Sequence, residues 1–364
     1  MNDSSTITKE ALTWLLEDED ERARIVLVDV REPEEFERGH IENAISIPLG
    51  RIENEIALRV PNKRARVIVY CAKGTRSNAA QLKLAALAYR RTVSLVEGYD
   101  GWIEARATSS LSAVERLRYA RQTALPSLGL EGQEALRQAR VLVVGAGGLG
   151  SPVALYLAAA GVGTLGIVDS DHVELSNLHR QVLHTTPRVG LPKVESAKKA
   201  LAQLNPHVNV VPHAFRFEAD GSAAFASEYD LLIDGSDNFA TRYAISDAGC
   251  AAGVPIVHGS VHRLEGQLAV FLPKRAAHKR GVAAGPCYRC IFPQPPTSAP
   301  NCETAGVLGS VCGVIGSLMA TEALKLLSSI APSNHQKLVL YDAIACELRS
   351  IAVTRRVDCI CNAI

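Results

Sequence analysis

At 364 residues the chain has room for two or three domains and a sizeable core, which excludes a mini-protein held together by staples. Lysine plus arginine number 39 and aspartate plus glutamate 38, divided as 16 basic and 18 acidic over residues 1–110 and 23 and 20 over the rest. No electrostatic footprint for nucleic acid or an anionic membrane emerges. With 47% hydrophobic and 21% charged residues, the composition is that of a soluble globular protein rather than a disordered one.

The nine cysteines are an odd number, and several cluster in the C-terminal third. Met1 to Glu21 is polar and acidic, unlike a secretory leader, so a reducing cytoplasmic setting with thiols used for chemistry or metal is expected. Two uncharged stretches, Val141–Val168 and Thr304–Thr321, have the length of a membrane span. The first carries seven glycines and Pro152 and divides into strand, turn, helix, turn and strand, as in a buried parallel unit. The second reads as a glycine-rich buried helix running into Glu322 and Lys325, so no membrane partner is expected.

In chain order, the apolar runs Ile25–Val28, Val67–Tyr70 and Val93–Val96 predict buried strands, with a helical segment over Asn78–Tyr89 between the last two. The alternation is βα, which favours a parallel sheet over residues 1–104. Residues 105–115 are small and polar and predict a linker. A larger α/β block follows over 116–364. Its strands are expected at 141–144, 165–168, 208–211, 231–234, 255–258, 268–272 and 338–341, with an irregular loop at 285–300.

Cys71 closes the strand Val67–Tyr70 and opens the loop Cys71-Ala-Lys-Gly-Thr-Arg76 ahead of a helix. Backbone N–H groups converging in such a loop, with Arg76, would lower a thiol pKa and stabilise an anionic persulfide. Around it stand Asp29-Val-Arg31-Glu-Pro33, Gly39-His40-Ile41, Ala44-Ile-Ser-Ile-Pro48 and Glu97-Gly-Tyr-Asp-Gly-Trp102. This ordered set resembles a single rhodanese domain of about 100 residues. The resemblance implies that Cys71 accepts a sulfane sulfur from a donor such as a cysteine desulfurase. Asp29, Arg31 and His40 are then expected to hold the architecture.

The second block opens with strand 141–144 and the turn Gly145-Ala-Gly147-Gly148-Leu-Gly150, followed by a helix. Glycines there permit positive φ and close approach of phosphates to helix N-terminal N–H groups. The next strand ends at Asp169, where an acid that binds ribose hydroxyls is expected. Taken alone, this pattern favours a dinucleotide oxidoreductase. The continuation through Asp171, Asn177, Arg180 and Lys193 favours instead a nucleoside triphosphate of about four negative charges, balanced by Arg180, Lys193 and Arg121, with Asp237 holding Mg²⁺.

Arg118-Tyr-Ala-Arg121-Gln122, the glycine turn, Asp169–Gln181, Lys193 and Asp234-Gly-Ser-Asp237-Asn238 together resemble the ubiquitin-activating superfamily, most nearly its MoeB/ThiF adenylyltransferases, over about 245 residues. The resemblance implies a Rossmann-like ATP-binding domain with ATP contacts from Gly147, Asp169, Asn177, Arg180 and Lys193. It also implies Mg²⁺ near Asp237, and a homodimer in which Arg121 reaches the neighbouring subunit's nucleotide. Cys302 matches a cysteine able to take part in thiol transfer.

Cys287-Tyr-Arg-Cys290 has the spacing of half a tetrahedral zinc site. Cys359-Ile-Cys361 is its partner, with one intervening residue where the resembled family has two. Cys250, Cys312 and Cys346 are expected in the core, and His258 and His262 in structural roles. The activity expected is ATP-dependent adenylylation of a ubiquitin-like sulfur carrier ending in Gly-Gly, most nearly the molybdopterin synthase small subunit, and its thiolation by a Cys71 persulfide. The alternative is an adenylyltransferase for a thiamine, cysteine or tRNA-thiolation carrier whose rhodanese-like domain only docks a sulfur donor.

Overall fold

A computed structural model describes residues 5–17, 19–108, 110–295 and 306–362. The chain separates into two compact units, Met1–Leu130 and Glu131–Ile364. In the first, β1 (Thr6–Ile7), β2 (Ile25–Asp29), β3 (Ile45–Ser46), β4 (Arg66–Tyr70) and β5 (Thr92–Leu95) form a sheet of order β1-β5-β4-β2-β3. Every pairing in it is parallel. Alternation along β4 sends Val67 and Val69 into a core with Ile52, Ile56 and Leu84, and Ile68 and Tyr70 into another with Leu12, Leu15 and Trp102. Both faces are covered, which is why these strands read as unbroken apolar runs.

Among the described residues, the second unit has an eight-stranded sheet of order β13-β12-β11-β10-β9-β6-β7-β8. Its strands are β6 (Arg140–Val144), β7 (Thr164–Val168), β8 (Asn209–His213), β9 (Leu231–Asp234), β10 (Ile256–His262), β11 (Glu265–Phe271), β12 (Lys337–Asp342) and β13 (Glu347–Ala352). From β8 to β10 the pairing is parallel, and β11 to β13 extend the sheet antiparallel. The chain winds β6-β7-β8 to one side, then returns to place β9 on the other side of β6. That reversal opens a crevice at the carboxyl ends of β6 and β9, the place where such sheets bind ligands.

The mixed α/β class is as the sequence implies, a parallel-sheet domain followed by a larger Rossmann-like one. Helix Gly309–Ser328 is long and apolar enough to span a membrane by length and composition. Here it lies against the sheet and the helix Gly150–Ala159: Cβ atoms added at Gly316, Gly259 and Gly266 would run into Pro152, Met319 and Ile315. The sequence reading missed β13, whose six residues are all exposed. With no face to bury, it carries no apolar run. Of residues 105–115, 105–108 belong to helix Gly98–Thr108 and 113–115 to helix Ala113–Thr123. Ser112 and Glu115 form a reciprocal capping box that starts the second helix, and this helix falls within the first compact unit.

Candidate active sites

The crevice after β6 is built by its glycine turn. Only Gly145 of the four turn glycines has positive φ, +94°, and a Cβ there would stand 2.9 Å from the Gly235 carbonyl. A Cβ on Gly150 would strike the Gly145 carbonyl, so these two glycines set the turn and the helix-to-strand packing. Asp169, directly after β7, accepts from Ala146 N and Asp171 N, each at 2.8 Å. Lys193, itself buried, stands 2.8 Å from Asp171 Oδ2 and 4.0 Å from Asp169 Oδ1. Burial pushes the Asp169 carboxyl up, against the pull of Lys193.

The cleft encloses about 1080 Å³, including its solvent-open mouth. The structure brings Gly145, Gly147, Gly148, Asp169, Asp171, Arg180, Lys193 and Asp237 to its walls. Gly150 and Asn177 are not among the lining residues; Asn177 donates to Glu174 Oε2 at 3.3 Å. Arg121 belongs to the first unit, where its guanidinium carbon lies 4.5 Å from the Trp14 ring centroid. Cys302 lies outside the described residues. Sequence reasoning missed Arg216 and Arg242, two further cations on the walls; Cys312 is buried as expected, with its sulfur behind Gly148 at the cleft wall. Arg242 comes one helical turn after the Asp237-Asn238 motif, the one sequence signal for it. Asn238 caps that helix through Thr241 N at 2.9 Å.

Beneath the cleft, Asp234 at the end of β9 is buried. Its Oδ2 lies 2.7 Å from His258 Nδ1, and its Oδ1 accepts from Ser236 N and Oγ at 3.1 and 2.6 Å. Burial opposes ionisation of Asp234, but His258, Arg242 and Ser236 outweigh it and hold the carboxyl low.

In the first unit Cys71 comes directly after β4, and its loop is closed. Cys71 is 1% exposed, and its sulfur lies 3.6 Å from Ser77 Oγ. Ser77 donates to the Gly74 carbonyl at 2.9 Å and accepts from Ser94 at 2.8 Å. Gly74 has φ +86°, and a Cβ there would stand 2.7 Å from the Val96 carbonyl, so the loop needs glycine at this point. Arg76 does not face the thiol alone. Its two Nη atoms donate to Glu35 at 2.6 and 2.8 Å, and that pairing holds the Glu35 carboxyl at about 2. Arg31 donates to both oxygens of buried Asp29 at 2.7–3.0 Å and to the Gly39 carbonyl at 2.7 Å. His40 is exposed and stacks on Phe36 at 3.8 Å.

The third cluster joins Cys287, Cys290, Cys359 and Cys361, whose sulfurs all lie within 4.8 Å of one another. Three of the separations are 3.5, 3.6 and 3.8 Å. A tetrahedral zinc with bonds of about 2.3 Å sets its sulfurs about 3.8 Å apart, so this cluster can hold a metal and the one-residue spacing of Cys359 and Cys361 is no obstacle. Cys250 packs beside the cluster, and its proximity together with burial pushes the Cys287 thiol up. Two expectations for the core therefore change. Cys250 is half-buried beside the cluster, and Cys346 is exposed in the turn joining β12 to β13, at φ +56°. A tight reversal outranks the small apolar side chain there.

Fold and cleft together define the class: a doubly wound α/β protein preceded by a parallel-sheet module with a cysteine at a strand end. Family models place it further. The ThiF family model matches residues 119–363 and the rhodanese-like domain model residues 11–105, and the chain belongs to the ThiF family with an N-terminal rhodanese domain. It is 48% identical over 244 residues to a sulfur carrier protein adenylyltransferase of Thermus thermophilus, covering 66% of this chain and 89% of that one. It is 45% identical over 249 residues to a probable adenylyltransferase/sulfurtransferase MoeZ of Mycobacterium tuberculosis, covering 68% and 62%. With an adenylyltransferase and sulfurtransferase uba4 of Aspergillus fumigatus it shares 46% over 295 residues, covering 78% and 58%. Thus the chain spans less than two thirds of the length of the last two. Among solved structures, Escherichia coli MccB has the same fold at TM-score 0.59 and 20% identity, covering 69% of this chain and 75% of that one.

Proposed function

We propose that this chain adenylylates the C-terminal glycine of a ubiquitin-like sulfur carrier ending in Gly-Gly and then converts it to a thiocarboxylate with sulfur carried on Cys71. The observation that carries the reading is the buried Lys193 set between Asp169 and Asp171 in a switch-point cleft beside a glycine turn. Such a cleft suits a triphosphate better than a nicotinamide dinucleotide, because its walls carry several cations. The names of the relatives support the reading: one names a sulfur carrier protein, and the others name both transfer activities. The molybdopterin synthase small subunit is the carrier we favour.

The carrier carboxylate attacks the α-phosphorus of ATP and pyrophosphate leaves. Lys193 and Arg180 stabilise the charge that builds on the phosphates, with Asp237 the residue to hold Mg²⁺. The terminal sulfur of a Cys71 persulfide then attacks the acyl carbonyl, and AMP leaves. A thiol, which we assign to Cys302, attacks the Cys71 sulfur, frees the thiocarboxylate and leaves a disulfide for an external thiol to reduce. Sulfur reaches Cys71 from a donor such as a cysteine desulfurase. Zinc on the four cysteines, a homodimer in which Arg121 reaches the partner's nucleotide, a cytoplasmic setting, and domains at 1–104 and 116–364 joined by 105–115 complete the proposal.

A docking-only role for the first unit has one observation in its favour, the 1% exposure of Cys71. Pyrophosphate release with carriers with and without the terminal glycine, followed by intact mass after adding a sulfur donor, tests both readings. Release that needs the glycine, with a thiocarboxylate mass that vanishes in Cys71→Ala, is expected. An unchanged thiocarboxylate yield in Cys71→Ala would reduce the first unit to docking. No release with any carrier would overturn the activating reaction.

A further inference from the structure

We propose that Tyr288 is a positioning residue for the nucleotide cleft, tying the four-cysteine cluster to the loop Asp234–Asn238. The inference rests on the proposed binding of ATP in the cleft and zinc on the cysteines. Tyr288 and Arg289 are the two residues between Cys287 and Cys290, so a metal held by those cysteines fixes their backbone from both ends. Tyr288 is buried, its ring 5.0 Å from that of His258 at 65° and 5.1 Å from that of Tyr243 at 82°. The charge of Arg242 lies near its hydroxyl.

These two neighbours, Arg242 and His258, hold the cleft loop at two points. Arg242, buried, donates from Nε and Nη2 to the Ser236 carbonyl at 3.4 and 3.2 Å. His258 stands 2.7 Å from Asp234, whose other oxygen accepts from Ser236. Ser236, Asp237 and Arg242 are themselves cleft walls. Arg289 clamps the same helix, Phe239–Ala252, through Asp247 at 2.7 and 2.8 Å. A path thus runs from the cysteine pair through one aromatic residue to both supports of the loop that carries Asp237, by ring contact to His258 and through the nearby charge of Arg242.

Coupling of this kind is reciprocal: if the ordered cluster tightens nucleotide binding, the nucleotide must tighten the cluster. The full chain is loaded with zinc, and transfer of the metal to a chromophoric chelator is timed with and without Mg-ATP. Calorimetry measures Mg-ATP affinity in the parent and in Tyr288→Phe, which keeps the ring and removes the hydroxyl. Mg-ATP is expected to slow zinc transfer from the parent about 5-fold or more. Tyr288→Phe is expected to weaken Mg-ATP binding by a similar factor and to lose the protection while still loading zinc. A purely structural Tyr288 would lower the unfolding temperature and leave the protection intact. Zinc transfer from the parent that ignores bound Mg-ATP overturns the inference without any variant, as does a Tyr288→Phe chain with unchanged affinity and protection. A parent that fails to bind Mg-ATP or zinc at all overturns the proposed function, and this inference with it.

Discussion

Two turns of similar construction stand at the carboxyl ends of parallel strands, Cys71–Gly74 after β4 and Gly145–Gly150 after β6. Each uses one glycine at positive φ, Gly74 at +86° and Gly145 at +94°, and each feeds a helix. In the first, the turn folds over its own cysteine: Cys71 and Ala72 carbonyls accept from Tyr99 N and Asp100 N at 2.7 and 3.1 Å, and Cys71 ends 1% exposed. In the second, the turn itself forms a wall of the crevice and leaves space that charged side chains line from the other sides. The difference lies in the residue type that each strand delivers to its turn, a cysteine in one case and a glycine in the other. On the proposed function, the turn that carries a reactive side chain shields it, and the turn that is to meet a ligand makes room. One turn is therefore shut and would have to open for transfer, whereas the other is open before anything binds.

Removing the groups at the centre of each turn's chemistry tests this contrast most severely. Cys71→Ala is expected to cut thiocarboxylate formation by about 10³-fold or more, with glycine-dependent pyrophosphate release unchanged, as read by intact mass and a pyrophosphate assay. Equal loss of both would mean that the two turns do not act separately. Lys193→Ala is expected to lower ATP–pyrophosphate exchange by about 10²–10³-fold while alkylation of Cys71 proceeds at the parental rate.

The strands that frame both turns were legible because burial on two faces forces unbroken apolar runs, as at Val67–Tyr70 and Val141–Val144. The glycine turn, Asp169 and Lys193 were legible as a local pattern and lie together in the cleft. What escaped were partners brought in by the fold across long separations. Nothing near Arg76 in sequence announces Glu35, 41 residues away, and nothing near Asp234 announces His258. Arg216 reaches the cleft from the segment after β8, a stretch without a motif. β13 escaped for the opposite reason, since an exposed edge strand leaves no hydrophobic signature.

The closed and open turns also differ in what supports them. The second unit has its cysteine cluster, so chelation of a zinc-loaded chain is expected to cost that unit at least about 3 kcal/mol and leave the first unit's unfolding in place. Two resolved transitions by calorimetry, only one of which moves with chelator, would establish this; a common shift would show that the units do not unfold independently.

The first unit's loop is supported by an ion pair instead, and its effect should be small and set by acid. Glu35 is held at about 2 by Arg76, below its ordinary 4.5. A carboxylate depressed in the folded state adds stability that is fully present above the unfolded value and is lost as pH falls from about 4.5 toward about 2. Both side chains are partly exposed, Arg76 by 34% and Glu35 by 28%, so solvent screens the pair and its worth at neutral pH is within about 1 kcal/mol. Glu35→Gln should therefore barely change urea unfolding of the first unit at pH 7, and its stability should fall less steeply than the parent's below pH 4.5. It also frees Arg76 to act on anions at the loop. If the Cys71 loop opens by releasing this pair, the variant's Cys71 should be alkylated faster by an anionic reagent than by a neutral one, and an equal gain with both would locate the barrier elsewhere, in the Ser77–Gly74 contact that holds the loop shut.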